Sequence, residues 1–286
     1  MQEKQIEEFW NAHSCGEFQV GGFDGDYEGF FRRYDAFRYQ NEAHILRCLD
    51  AIDFTGKRVL EIGLGQGADS EQIIRRGGIW SGLDLTQESV DRVRKRLILR
   101  NLPYSDLKQG SVLEIPYPDQ AFDVAYSHGV LHHVPDILQA QAEIARVLRP
   151  DGLLVVMLYA KYSLNYLVST ALVRRLGLIA LRLAPGMAKG IYRQHLDNAA
   201  RLGLWRYLRM SNFIHCNTDG PLNPYSKVYT LAEVRKDFPA FRIVKAHKEF
   251  MHAPPLPVHG LPGARALGWH LWVYMMPRAG STLSGG

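Results

Sequence analysis

Only three of the 286 residues are cysteine, and Cys15, Cys48 and Cys216 stand far apart. An odd, scattered set argues against a disulfide framework or a zinc cluster and fits a reducing cytoplasm, so no metal site is expected. The first residues are polar and lack the apolar stretch of a secretion signal. No apolar run is long enough for a bilayer; the best candidate, 164–184, is interrupted by arginine. Charge is also modest. A formal net charge of +5 suits anionic ligands or surfaces but is too small to argue for nucleic acid. With 47% hydrophobic and 22% charged residues, the chain has the composition of an ordinary globular protein, enough for one large α/β domain with an insertion.

What the chain does have is glycine in a telling place. In Val59-Leu60-Glu61-Ile62-Gly63-Leu64-Gly65-Gln66-Gly67, an apolar strand runs into a turn with glycine at every second position. Without a Cβ the backbone turns sharply and approaches a ligand closely. Gly63, Gly65 and Ala68 also satisfy a dinucleotide fingerprint, so the loop alone does not choose between ligands. From 58 onward, strand and helix patterns alternate. Strands are predicted over 58–62, 79–84, 105–109, 122–127 and 152–159, with helices over 69–76, 87–100 and 136–148. In the helix 87–100, Val90, Val93, Leu97 and, at the margin, Ile98 face inward, while Arg92, Arg94, Lys95 and Arg96 face mostly outward. Such alternation implies right-handed βαβ units and ligand binding beyond the strands' carboxyl ends, where Gly63, Asp84, Ser111 and Ser127 fall.

Asp84 closes the second strand 17 residues after Gly67, and a carboxylate there suits a ribose diol. It could equally cap the following segment, and the glycines could serve only the turn. The run 110–134, which includes Asp123-Val124-Ala125-Tyr126-Ser127-His128-Gly129-Val130-Leu131-His132-His133, discriminates further. So does 143–154, with Leu148-Arg149-Pro150-Asp151-Gly152 at its centre. Together these runs resemble the class I S-adenosylmethionine-dependent methyltransferases, most closely the small-molecule branch that includes the ubiquinone/menaquinone-biosynthesis type. The resemblance covers about 56–160. It departs at Ser111, where the family often has Asp.

The resemblance implies a Rossmann-like, seven-stranded, mostly parallel sheet with helices on both faces, and S-adenosylmethionine as cofactor. Gly63, Gly65 and Gly67 would pass under its methionine part, and Glu61 would bond the loop or the ammonium. Asp84 would take the ribose hydroxyls, Leu85 would pack on adenine, and Ser111 with Val112 would edge the ring. Ser127 and Gly129 would border the sulfonium. His128, His132 and His133 follow the fourth strand where an acceptor enters, and a histidine can serve as base near neutrality. His132 and His133 are the favoured candidates; ordering the loop is the competing role.

Residues 1–55 form an expected helical lid, rich in aromatics (Trp10, Phe18, Phe23, Phe30, Phe31 and Tyr34 among them), with Tyr34, Arg38 and Tyr39 as contacts to the cofactor. The core spans 56–160, a helical substrate cap 161–227, the completing strands 228–278, and a disordered tail 279–286. Phe241 and Trp269 open the expected sixth and seventh strands, the last antiparallel by family analogy. Between 161 and 210, nine basic residues face Asp197 alone. That amphipathic basic cap suits a membrane surface through 164–184, an anionic or lipid-like acceptor, or a homodimer face. Asn223-Pro224-Tyr225 resembles part of a nucleic-acid amino-methyltransferase motif. It lies far downstream of the fourth strand, so 219–225 reads as a turn-rich substrate loop. The expected function is methyl transfer to O, N or C of a small natural-product or lipid-like acceptor. A cofactor-binding scaffold without turnover and an RNA or DNA methyltransferase are the alternatives.

Overall fold

The computed structural model describes residues 2–13, 16, 20–22 and 25–278. Cys15, Phe18, Phe23 and the tail 279–286 lie outside them. Seven strands form one sheet: β1 (Arg58–Ile62), β2 (Ile79–Asp84), β3 (Asp106–Gln109), β4 (Phe122–His128), β5 (Leu148–Tyr159), β6 (Phe241–Glu249) and β7 (His270–Pro277). Their order is β3-β2-β1-β4-β5-β7-β6. The first five pair in parallel, and β7 inserts antiparallel to both β5 and β6. This is the expected Rossmann-like α/β architecture. Four of β1's five residues are buried, the signature of a central strand covered on both faces. Strand order reverses between β1 and β4, and the crevice opens there.

Helices α1 (Gln2–Ala12), α2 (Tyr27–Asn41) and α3 (His44–Asp50) precede the sheet. Helices α4 (Ala68–Arg75), α5 (Gln87–Leu99) and α6 (Ile137–Val147) connect its parallel strands. Two apolar clusters fill the two faces. One joins Leu60, Ala125, Val156 and Val273 to Ile144 of α6. The other joins Val59, Val124, Val155 and Trp272 to Ile73 of α4 and Val93 of α5. β5 starts at Leu148, four residues earlier than expected, because Phe122 pairs with Leu148 ahead of a bulge before Val124.

The polar face of α5 is not what periodicity predicts. Arg92 and Arg96 are buried, Arg96 almost completely, whereas Ile98 is 65% exposed. The cause lies in the N-terminal segment, which covers this face. Arg96 bonds Asp35 of α2 and Glu71 of α4, and its guanidinium stands over the Phe31 ring. Arg92 stands over Phe30, and Lys95 over Tyr27. Arginine can be buried when its donors are met by carboxylates and its flat faces by aromatic rings. These contacts clamp α2 to the core.

After β5, residues Asn165–Arg174 form a π-helix that continues as α7 (Arg175–Leu183), followed by α8 (Ile191–Leu202). This segment has a small core of its own around Leu178, Leu196, Tyr207 and Phe213. The helix α9 (Leu231–Asp237) packs near β6 and carries a complete capping box between Thr230 and Glu233. No described helix is long and apolar enough to cross a membrane.

Candidate active site

A cleft opens at the carboxyl ends of β1, β2 and β4, bordered by α1 and α2. Its floor is the glycine loop. Gly63 has φ +79°, and a Cβ there would stand 2.1 Å from Val130 Cγ2, so only glycine fits.

Asp84 holds this loop. Its Oδ2 accepts the Leu64 N–H at 2.7 Å, while Oδ1 accepts the backbone N–H of Thr86 at 2.9 Å and its hydroxyl at 2.8 Å. Thr86 in turn caps α5. Asp84 therefore orders the turn, though Thr86 rather than Asp84 caps the following helix, and it also lines the cleft. Burial raises its pKa, and the bonds from Leu64 and Thr86 draw it back. Glu61, at the end of β1, accepts the Trp80 indole N–H at 2.7 Å. Burial, helped by the negative charge of Asp69, pushes its pKa up to about 8.

Asp69, in the first turn of α4, is the hub that sequence reasoning missed. Arg38 donates to both of its oxygens at 2.9–3.0 Å, Tyr126 donates its hydroxyl at 2.8 Å, and His128 Nδ1 lies 3.2 Å away. Burial pushes the Asp69 carboxyl up, but Arg38 and His128 outweigh it and hold it well below the usual range. An acidic residue just after the glycine loop was the only signal available; its partners come from two distant segments, α2 and β4.

Of the expected cofactor residues, Glu61, Gly63, Gly65, Asp84, Leu85, Val112, Gly129, Tyr34 and Arg38 line the cleft, as do His128 and His133. Others are placed elsewhere. Gly67 is the left-handed N-cap of α4, packed on Val93 and Arg96. The Ser111 hydroxyl bonds Glu3 of α1 and accepts the Leu113 N–H, tying the lid to the loop after β3. Ser127 is buried and donates to the Ile62 carbonyl, joining β4 to β1. Tyr39 packs into the core beneath α2, outside the cleft lining. His132 is wholly buried and absent from the lining, so it is out of reach of an acceptor. His133 reaches the cleft, but its Nδ1 lies 2.7 Å from the Tyr225 carbonyl and its Nε2 3.2 Å from Asp219 Oδ2. With acceptors facing both nitrogens, it is poorly placed to take a substrate proton. His128, backed by Asp69, is the better candidate base.

From α1, Glu3, Ile6 and Trp10 add to the cleft wall. The Asn223-Pro224-Tyr225 tripeptide, remote in sequence, folds back beside the end of β4, where Lys227 N–H donates to the His132 carbonyl at 2.9 Å. Asn223 itself is buried, bonding Thr218 and the Tyr225 N–H. It serves the turn.

The cleft's charge is informative. Among the described residues, Arg38 is the one Lys or Arg side chain in the lining and is neutralised by Asp69, whereas Glu3, Glu61 and Asp84 supply further acceptors. Asp69 and Glu71 also place negative charge at the N-terminus of α4. A cationic ligand with a ribose diol meets complementary groups.

Residues 60–156 match the protein family described as "Methyltransferase domain". A phthiotriol/phenolphthiotriol dimycocerosates methyltransferase of Mycobacterium tuberculosis is 34% identical over 117 residues, 39% of this chain and 42% of that protein. A fatty-acid O-methyltransferase of Mycolicibacterium smegmatis is 35% identical over 102 residues, 35% of this chain and 36% of that one. The chain thus matches less than half the length of these curated relatives. Among solved structures, a SAM-dependent methyltransferase of Thermotoga maritima, described as a possible histamine N-methyltransferase, superposes with a TM-score of 0.55. It shares 15% identity, over 97% of this chain and 100% of that one. The core therefore has the fold of S-adenosylmethionine-dependent methyltransferases, and its residues 60–156 are similar to a methyltransferase domain.

Proposed function

We propose that this protein transfers the methyl group of S-adenosylmethionine to an oxygen, nitrogen or carbon of a small, apolar or lipid-like acceptor. The observation that carries this reading is the acid-rich cleft: it offers acceptors to a cation and a ribose, and no free cation to a phosphate. Bound there, the cofactor supplies an electrophilic methyl on a positively charged sulfur. Asp84 would accept from the ribose hydroxyls, Leu85 and Val112 would cover the base, and Glu61 would serve the amino acid end. Gly63 and Gly65 let the backbone lie against the ligand. Trp10, Tyr34 and Ile6 exclude water and present an apolar wall to the acceptor, which raises the rate chiefly by holding the two reactants in line. Where the acceptor must lose a proton, His128 takes it while Asp69 fixes the ring through Nδ1.

The lipid-like class rests on two supports: the two curated relatives act on lipids by name, and residues 161–210 join a strong basic excess to exposed apolar side chains. A cytoplasmic location and a place in small-molecule biosynthesis belong to the same proposal. Calorimetric titration with S-adenosylmethionine and with NAD is the first test. Binding of the former, lost in Asp84→Ala, is expected; tight NAD binding without it would overturn the reading. Transfer of labelled methyl to a panel of fatty acids, phenolic lipids and amines then tests the acceptor class. Cofactor binding with no transfer to any of them would favour a scaffold, and transfer to RNA or DNA would favour the nucleic-acid alternative.

A further inference from the structure

Three clusters of metal-ligating side chains occur among the described residues, and they differ in how their polar atoms are satisfied. In the group Glu42, His128 and His270, His128 faces Asp69, His270 bonds His44, and Glu42 pairs with Arg38. In the group Cys48, His247 and Glu249, the carboxylate is engaged by Arg265 and Arg47. The third group, His132, His133 and Asp219, has no such compensation.

Its ligand atoms lie within 4.8 Å of one another. Neither ring nitrogen of the fully buried His132 has a hydrogen-bond partner, and His133 Nε2 and Asp219 Oδ2 make no well-aligned bond. Buried polar atoms left in this state are costly, and here they come from three neighbouring side chains. The remaining atoms of the group are fixed. His133 Nδ1 donates to the Tyr225 carbonyl, which leaves the lone pair on Nε2. The Tyr159 hydroxyl donates to Asp219 Oδ1 at 2.9 Å, and the Tyr159 ring lies 3.9 Å from the His132 ring. Outer partners of this kind orient the ligands of metal ions.

We propose that His132, His133 and Asp219 bind one divalent transition-metal ion. With metal–ligand bonds of about 2.0–2.2 Å, adjacent ligand atoms stand roughly 3–3.5 Å apart. The 3.2 Å between His133 Nε2 and Asp219 Oδ2 already meets this spacing, and His132 offers its atom within 4.8 Å of both. Two imidazoles and a carboxylate favour Zn²⁺, Fe²⁺, Co²⁺ or Ni²⁺ over Mg²⁺ or Ca²⁺ and leave coordination positions open. Because His133 also lines the cleft, the ion would stand at its border.

The test uses tag-free full-length protein, stripped with a chelator and titrated with Co²⁺. The expected result is a visible ligand-field band that saturates at one equivalent and is displaced by Zn²⁺. The band should vanish in His133→Ala and Asp219→Asn and persist in Cys48→Ser. Zn²⁺ should also raise the melting temperature of the wild type but not that of Asp219→Asn, whose partly exposed loop position tolerates the change without unfolding. No saturable binding by the wild type would reduce the group to a His133–Asp219 ion pair and overturn the proposal. So would a band that survives both site variants, or one lost in Cys48→Ser. None of these readouts depends on methyl transfer.

Discussion

The segments that build the cleft bury most of the apolar surface they carry, whereas the insertion after β5 leaves much of its own in water. Leu60, Ala125, Val155 and Val156 are fully enclosed, and the lid contributes Phe30 and Phe31 to the interior. In the insertion, Leu176, Leu183, Met187, Ile191 and Trp205 are between 55% and 84% exposed. Arg182, Lys189, Arg193, Arg201 and Arg206 are exposed beside them. The core therefore satisfies itself, and the insertion looks outward. Patches of exposed apolar residues with basic neighbours are the means by which a folded protein meets a lipid-like partner. The comparison separates two tasks: the core positions the cofactor, and the insertion is the place to seek selectivity for the acceptor.

The strongest way to break this contrast is Arg96→Ala. It removes the buried cation between Asp35 and Glu71 and should cost about 3–5 kcal/mol, read as a lower urea midpoint. An unchanged midpoint would mean that the lid does not depend on this pair. Next, Gly63→Ala sets a Cβ against Val130 at a left-handed position and should cost about 1–3 kcal/mol while abolishing cofactor binding by calorimetry.

Glu61 gives a pH signature. Its folded pKa of about 8 lies above the ordinary 4.5, so between these values the native state holds a proton that the unfolded chain has lost. Its contribution to stability should fall as pH rises from about 4.5 to about 8 and then level off. Melting temperatures of wild type and Glu61→Gln across that range should diverge accordingly. A bound cation favours the ionised carboxylate, so affinity for S-adenosylmethionine should climb over the same window in the wild type alone. Parallel curves would show that Glu61 ionises normally. The smallest effect on the fold is expected in the insertion. Leu183→Ser with Trp205→Ser should change stability by no more than about 0.5 kcal/mol per site. Co-sedimentation with vesicles of anionic phospholipid should nevertheless fall several-fold. Equal sedimentation would leave the surface to an acceptor or to a second copy of the chain.

Much of the core was legible because its signals are local. The apolar run into Gly63, the carboxylate closing β2 and the helical period of 137–147 each need only neighbouring residues. The same locality explains the errors. Arg92 and Arg96 have the spacing of a solvated face, and only the arrival of Asp35, Phe30 and Phe31, some 60 residues earlier in the chain, turns that face inward. His132 and His133 looked like equivalent candidate bases; the 215–227 loop and Tyr159 enclose one and tether the other.

The sequence by itself determined the alternation of strands and helices and the glycine loop, because backbone turns and buried strands are dictated by residues a few places apart. Only the tertiary structure decided that Asp69 rather than a histidine is the electrostatic centre of the cleft, and that His132, His133 and Asp219 meet. A carboxylate's partners and a histidine's burial depend on chain segments that fold back from far away, and no local pattern encodes that meeting.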